Sequence, residues 1–269
     1  TVQIKIVNQL MKIKSSFLNI NNKRLEYLTY GDFSNNSPVL ILLHEGLGSV
    51  AMWRQIPQLI YEKTNLNLVV YSRFGYGKSS NSELPRPLNY MTIEAEKYLP
   101  ILIQKLKIKN YFLIGHSDGG TIAALGSRGK TINNLIGTVL LAPHFFIEDD
   151  NLKAIEKTRY QYEHGSLRSK LEKYHIDVDN AFYGWSDVWL DKNFKDWDIT
   201  NHISEIKTPV LGIQGLNDPY GSIEQLNVIQ KNIKVPFTKK TIKDCGHNPL
   251  NEYPDITLKF IHNFIINLL

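Results

Sequence analysis

Apolar residues along the chain gather in short runs separated by longer stretches of helical spacing. Val39–Leu43, Leu66–Tyr71, Tyr111–Ile114, Ile136–Leu141 and Val210–Gln214 are almost wholly apolar, as strands covered on both faces must be. Phe237–Ile242 follows as a last, more polar strand. Trp53, Ile56, Leu59 and Ile60 share one helical face within Trp53–Lys63, and helices are also predicted over Ile93–Leu106, Gly119–Ser127, Ser222–Asn232 and about Tyr253–Leu268. Two leading segments, Met11–Ile20 and Arg24–Tyr30, flank Asn21-Asn22 and read as a hairpin. Strands alternating with helices predict an α/β fold, a mostly parallel central sheet covered by helices.

The alternation lapses between Pro143 and Thr208. Charged, helix-favouring segments such as Asn151–Arg159 and Leu167–Tyr174 carry aromatics there instead, among them Tyr160, Tyr162, Phe182, Tyr183, Trp185, Trp189 and Trp197. The pattern predicts a discontinuous core domain, 1–143 and 209–269, with a helical cap, 144–208, inserted after the sixth strand. A length of 269 residues suits one such domain with a modest insertion.

Composition narrows the class. Hydrophobic residues make up 42% and charged residues 21%, enough for a large core and too apolar for disorder. The net charge of +5 is spread over scattered Lys and Arg with no aromatic interleaving, which reads as a solvated surface and not as a nucleic-acid stripe. The single cysteine, Cys245, excludes an internal disulfide and any multi-cysteine metal site. No run approaches the roughly 18 apolar residues of a membrane span. Thr1–Leu10 alternates and does not read as a signal peptide, Met11 is a candidate start, and a cytoplasmic protein is expected.

Candidate chemistry starts at Gly115-His116-Ser117-Asp118-Gly119, which follows an apolar strand and opens a helix. Gly-x-Ser-x-Gly in that setting puts the serine on a tight strand-to-helix turn, where crowding backbone demands small residues two before and two after. Its hydroxyl then sits at a helix N-terminus, which favours developing negative charge. A serine at its ordinary pKa is a poor nucleophile and needs an imidazole oriented by a carboxylate. His247, in Asp244-Cys-Gly-His-Asn-Pro249 between the last strand and the last helix, is the candidate base. Asp218, just past strand Val210–Gln214, is the candidate acid; it lies one helix and one strand before His247. Asp149 and Asp150, after the sixth strand, are reserve acids. Cys245 is near the base but on the same turn, and is expected to be structural.

Acyl transfer also needs two N–H donors aimed at the oxyanion. Strand Val39–Leu43 ends in His44-Glu-Gly-Leu-Gly48, and the N–H groups of Gly46 and Asp118 are the candidates. Arg73-Phe-Gly-Tyr-Gly-Lys-Ser79 lacks the Gly-x4-Gly-Lys spacing of a phosphate loop and is expected to be a turn packed beside this one. A free Glu45 carboxylate would oppose an oxyanion, so it is expected to point away and pair with Arg73, or alternatively with Arg54. Trp185 or Trp189, or both, are expected to face the pocket above Ser117 and to set acyl preference.

These motifs, Leu-Leu-His-Glu-Gly-Leu-Gly-Ser49, Ser72-Arg-Phe-Gly-Tyr-Gly-Lys-Ser-Ser80, Gly115-His-Ser-Asp-Gly-Gly120, Gly215-Leu-Asn-Asp218 and Gly246-His247, are similar in content and order to those of the α/β-hydrolase superfamily. Glu45 departs from the pattern, because many relatives carry Gly after that His. The resemblance implies an α/β-hydrolase fold and a carboxylesterase working through an acyl-enzyme without a cofactor. Nucleophile, acid and base map to Ser117, Asp218 and His247, and the oxyanion donors to Gly46 and Asp118. It implies a small-molecule ester as substrate, either free or carried on an acidic carrier protein. Capped relatives also include methyl-ester esterases of biotin synthesis, which act on carrier-bound substrates, and meta-cleavage C–C hydrolases. A ligand-binding module on the same fold is the non-enzyme alternative. Serine at 117 argues against dehalogenase and epoxide hydrolase chemistry, where Asp stands at this place.

Overall fold

The computed structural model describes residues 12–34, 36–129 and 134–269. The expectations placed on Thr1–Leu10 and Met11 lie outside these residues. Among the described residues eight strands form one sheet: β1 (Ile13–Ile20), β2 (Lys23–Tyr30), β3 (Val39–Leu43), β4 (Asn67–Tyr71), β5 (Tyr111–His116), β6 (Leu135–Leu141), β7 (Val210–Gly215) and β8 (Phe237–Ile242). Their spatial order is β1-β2-β4-β3-β5-β6-β7-β8. The leading hairpin pairs antiparallel and docks antiparallel on β4, while β3 to β8 are mutually parallel. Every residue of β3, β4 and β5 is buried, which accounts for sequences that are apolar except at Asn67 and at Gly115-His116, the ends of β4 and β5.

Helices α1 (Ile56–Thr64) and α10 (Pro254–Ile266) cover one face of the sheet. The other is covered by α2 (Tyr90–Ile93), α3 (Leu99–Lys105) and α4 (Asp118–Gly126), a π-helical turn, Glu94–Tyr98, joining α2 to α3. The helix expected over Trp53–Lys63 is broken. A 3-10 turn, Ala51–Trp53, precedes α1, and Arg54 between them has φ 50° and ψ −123°.

Between β6 and β7 lie α5 (Asp149–His164), α6 (Leu167–Leu171) and α7 (Val178–Trp189). No strand is found there among the described residues, only an isolated bridge between Phe146 and Asp198. The segment carrying Trp185 and Trp189 is thus a third helix, capped by the Asp177 side chain, which accepts from Asn180 N–H at 2.9 Å. α8 (Glu224–Asn232) and α9 (Pro249–Glu252) complete the helices used below. Among the described residues no helix is long and apolar enough to cross a membrane.

Parallel strands deliver their carboxyl ends to one edge of the sheet, and α/β ligand sites form there. His44 and Glu45 follow β3, Ser117 follows β5, His144 follows β6, Asp218 follows β7 and His247 follows β8.

Backbone crowding at that edge is severe. A Cβ on Gly115 would stand 2.0 Å from the carbonyl oxygen of Gly119, and one on Gly119 would stand 2.1 Å from that of Leu43. Neither obstacle is a side chain that can swing aside. Gly115→Ala should therefore lower unfolding free energy by about 1–3 kcal/mol or more, read from the midpoint of urea unfolding at unchanged slope.

Candidate active site

Ser117 holds φ 55° and ψ −120°, a region that costs on the order of 1–3 kcal/mol for a residue with a Cβ. Two hydrogen bonds hold it there: its N–H donates to Leu141 O at 2.8 Å, and its carbonyl accepts from Thr121 N–H at 3.0 Å. The turn throws the hydroxyl clear of the backbone toward the loop after β8.

Ser117 Oγ lies 2.9 Å from His247 Nε2, and His247 Nδ1 lies 2.7 Å from Asp218 Oδ2. All three sequence-predicted residues therefore meet in one chain of hydrogen bonds. The Asp218 carboxylate, 1% exposed, also accepts from Gln214 Nε2 at 2.7 Å and from Tyr220 N–H at 2.8 Å. Burial alone would raise its pKa, but the hydrogen bond and charge of His247, with the Tyr220 N–H, hold it below the usual carboxylate value. The base loop is fixed by a residue the motifs did not expose. Glu252 in α9 reaches back and accepts from Gly246 N–H at 2.6 Å and Asn248 N–H at 2.9 Å, on either side of His247.

A cavity of about 130 Å³ opens over Ser117. Gly46, Asp118, Trp185 and Trp189 all line it, with Leu47, Ile155 and Tyr220. Trp185 packs directly on Gly46, since a Cβ there would come within 2.2 Å of the indole nitrogen. Trp189 is pinned instead, its indole N–H donating to Tyr90 OH at 3.1 Å and its ring set edge-on to Phe194 and Trp197. Tyr90 OH in turn donates to the Asp118 carboxyl, whose pKa burial pushes up.

Glu45 corrects an expectation. Its carboxylate does not pair with Arg73 or Arg54; among the described residues its ionic partner is His116, with Oε2 3.8 Å from Nδ1. The Arg73 guanidinium is taken up by backbone, donating to the carbonyl oxygens of His44 and, at 2.9 Å, Glu45. The Glu45 carboxylate extends from the β3 loop across to the turn before Ser117, where an imidazole is buried and available. His116 Nε2–H then donates to the carbonyl oxygen of His247 at 2.8 Å. Burial would depress the His116 pKa, but the Glu45 hydrogen bond and charge raise it overall; burial would raise that of Glu45, and His116 lowers it. The pair ties together the loops after β3, β5 and β8. His44 completes this layer, its Nδ1–H donating to Glu45 O at 2.7 Å while Nε2 accepts from Arg73 N–H at 3.1 Å. The loop 73–79 therefore lies beside the 44–48 loop, as its spacing implied.

Other expectations resolve simply. Asp149 and Asp150 are exposed in the first turn of α5, and it is Asp218 that meets His247. Burial pushes the Cys245 thiol up to about 11, unsuited to thiolate chemistry, and its Sγ faces Gly246 O. One residue beside Ser117 was not anticipated: His144, three residues past the end of β6, has Nε2 3.4 Å from Ser117 Oγ. Its sequence signal is position alone, a histidine at the carboxyl end of a buried parallel strand.

Comparison with known proteins agrees with this architecture. Residues 38–152 match a family described as alpha/beta hydrolase fold. The chain is 24% identical over 235 residues to the human serine hydrolase BPHL, spanning 82% of this chain and 76% of that one. Among solved structures it is similar to VinJ, with TM-score 0.75 and 18% identity over 95% of this chain and 99% of that one. It is also similar to the enol-lactonase from Burkholderia xenovorans LB400, with TM-score 0.71 and 18% identity over 93% of this chain and all 100% of that one.

The Glu45–His116 pair has a pH signature. A depressed carboxyl pKa contributes stability that is lost as pH falls through the folded value, and a raised imidazole pKa contributes stability that is lost as pH rises through its folded value. The pair's contribution therefore peaks between the two. Glu45→Gln should lower Tm most in that mildly acidic window and least at its extremes, as thermal melts of both proteins across pH would read.

Proposed function

We propose that this chain, which belongs to the α/β-hydrolase superfamily, is a serine esterase that cleaves short-chain carboxylic esters through an acyl-enzyme. The observation that carries this reading is the unbroken hydrogen-bond chain from Asp218 through His247 to Ser117 Oγ on a strained turn. In acylation the Oγ–H proton moves to His247 Nε2 as Oγ bonds to the substrate carbonyl carbon. The carbonyl electron pair moves onto its oxygen, toward the N–H groups assigned to Gly46 and Asp118. Collapse breaks the bond to the alcohol oxygen, which takes the proton from His247. Water repeats the sequence to release the acid. Asp218 stays ionised and stabilises the imidazolium formed at each step.

Substrate size follows from the cavity. About 130 Å³ bounded by Leu47, Ile155, Trp185 and Trp189 suits an acyl group of a few carbons and an apolar character. Residues 144–208 act in this reading as a cap whose α5 and α7 close the cavity from above. The groove beside Asp218 carries both signs of charge, Glu148, Asp149 and Asp150 with Lys153 and Lys157, and so favours no charged carrier. A free small ester is the substrate that the small cavity fits.

Hydrolysis of p-nitrophenyl esters from acetate to dodecanoate tests this. Turnover should be greatest at two to four carbons, and Ser117→Ala should retain less than about a tenth of wild-type kcat. Trp185→Ala, by opening the wall that rests on Gly46, should shift the chain-length preference several-fold toward longer esters, given about 1–3 kcal/mol for a changed apolar contact. Equal turnover of acetate and dodecanoate by the wild type would remove the short-chain assignment. An active Ser117→Ala enzyme would remove the mechanism.

A further inference from the structure

His144 is 3% exposed and belongs to the wall of the catalytic cavity. It is held rigidly. Thr121, in the first turn of the helix that begins after Ser117, donates its hydroxyl to His144 O at 2.7 Å and accepts from His144 N–H at 3.2 Å. The ring lies edge-on to Trp189, centroids 5.2 Å apart, and stacks near the His247 ring at 5.8 Å. Its Nδ1 is buried without a hydrogen-bond partner. That nitrogen faces Gly221, where a Cβ would come within 3.4 Å of it. A buried polar atom left unpaired in a native fold calls for an explanation, and here the other ring nitrogen supplies one.

Two imidazoles face one hydroxyl. The Ser117 hydroxyl has a single proton, and the nearer nitrogen, His247 Nε2 at 2.9 Å against 3.4 Å, takes that hydrogen bond. Ser117 Oγ can then only accept from His144. His144 is thus the tautomer with hydrogen on Nε2, and the orphaned Nδ1 is the bare one, the less costly atom to leave against apolar Gly221. Burial first, and then the charge His247 carries when protonated, push the His144 pKa down to about 3, so the ring stays neutral while His247 shuttles protons.

We propose that His144 is a further catalytic residue, an imidazole in the cavity wall whose Nε2–H donates to Ser117 Oγ and stabilises the negative charge on that oxygen. The proposal rests on the acyl-enzyme reading above. Charge develops on Oγ twice, when it attacks the ester carbon and when the C–Oγ bond breaks in deacylation and the electron pair returns to it. In both steps the proton travels between Oγ and His247, and His144 neither gains nor loses one. A bond of 3.4 Å at rest shortens as charge builds on its acceptor.

Turnover of p-nitrophenyl acetate, normalised to sites titrated with a fluorophosphonate, tests the assignment in His144→Phe, which keeps the ring shape without a donor, and His144→Gln, whose amide can still donate. His144→Phe should lower kcat roughly 10–100-fold with KM changed less than about twofold, and His144→Gln should recover part of the loss. The pH dependence of kcat/KM should keep its limbs, because His144 does not titrate in the working range. Wild-type kcat in His144→Phe, equal losses in both variants, or a displaced acid limb would each overturn the proposal. Should His144→Phe not fold, nitrogen-15 spectra of labelled wild-type protein at neutral pH decide it: hydrogen on Nε2 with a bare Nδ1 is required, and the opposite tautomer refutes it. A wild-type protein that neither hydrolyses the ester nor reacts at Ser117 would refute the esterase reading instead, a separate result.

Discussion

The geometry of the site depends on one constraint, the crowded turn between β5 and α4 that holds Ser117 at φ 55° and ψ −120°. The turn is tolerated because hydrogen bonds on both sides over-determine it and because Gly115 and Gly119 let three stretches of backbone touch. Those close contacts bring the end of β3 against the start of α4. Gly46 and Asp118 thereby line the same cavity as Ser117. A looser turn would separate the nucleophile from the donors assigned to it, and every other element of the site would lose its reference point.

Around that turn the charges are arranged in pairs. Asp218 faces His247 and Glu45 faces His116, two acid–histidine couples set side by side, with the rings of the two histidines 5.1 Å apart. The first couple reaches the imidazole of the base, and the second reaches its backbone carbonyl. Glu252 adds a third hold through the N–H groups flanking the base. A base that moves protons must keep its ring position while its charge changes, and backbone fixed from two directions serves that need. A neutral His144 near the base completes the set: it can donate to the nucleophile without adding charge beside an imidazolium.

Glu45 shows how this layer differs from an isolated motif. A carboxylate next to the Gly46 N–H ought to oppose an oxyanion, yet its charge is directed to His116, and Arg73 neutralises the local carbonyl dipoles instead. The loop that carries Gly46 is thereby held from two sides, by an ion pair to the nucleophile turn and by a guanidinium from the β4 loop. Trp185 presses on Gly46 from above. The same contact holds the Gly46 backbone and bounds the cavity over Ser117.

The sequence by itself determined the α/β alternation and the hairpin at the sheet edge, and it singled out Ser117, Asp218 and His247, whose side chains meet in one hydrogen-bonded chain. These were legible because buried strands need continuous apolar residues, and because a strained turn admits few residue types at fixed offsets. Strand ends shifted by no more than two residues, and helix ends by as many as five, as at the end of α5. The break at Arg54 was missed because nothing in Trp53–Lys63 marks a positive φ, and α7 because its aromatics hide its polar positions. Only the tertiary structure decided that Glu45 pairs with His116, that Glu252 braces the base and that His144 faces the nucleophile. Each of these contacts joins residues from different strand ends, and which side chains meet there depends on sheet order and backbone crowding, distances that no local pattern of residues records.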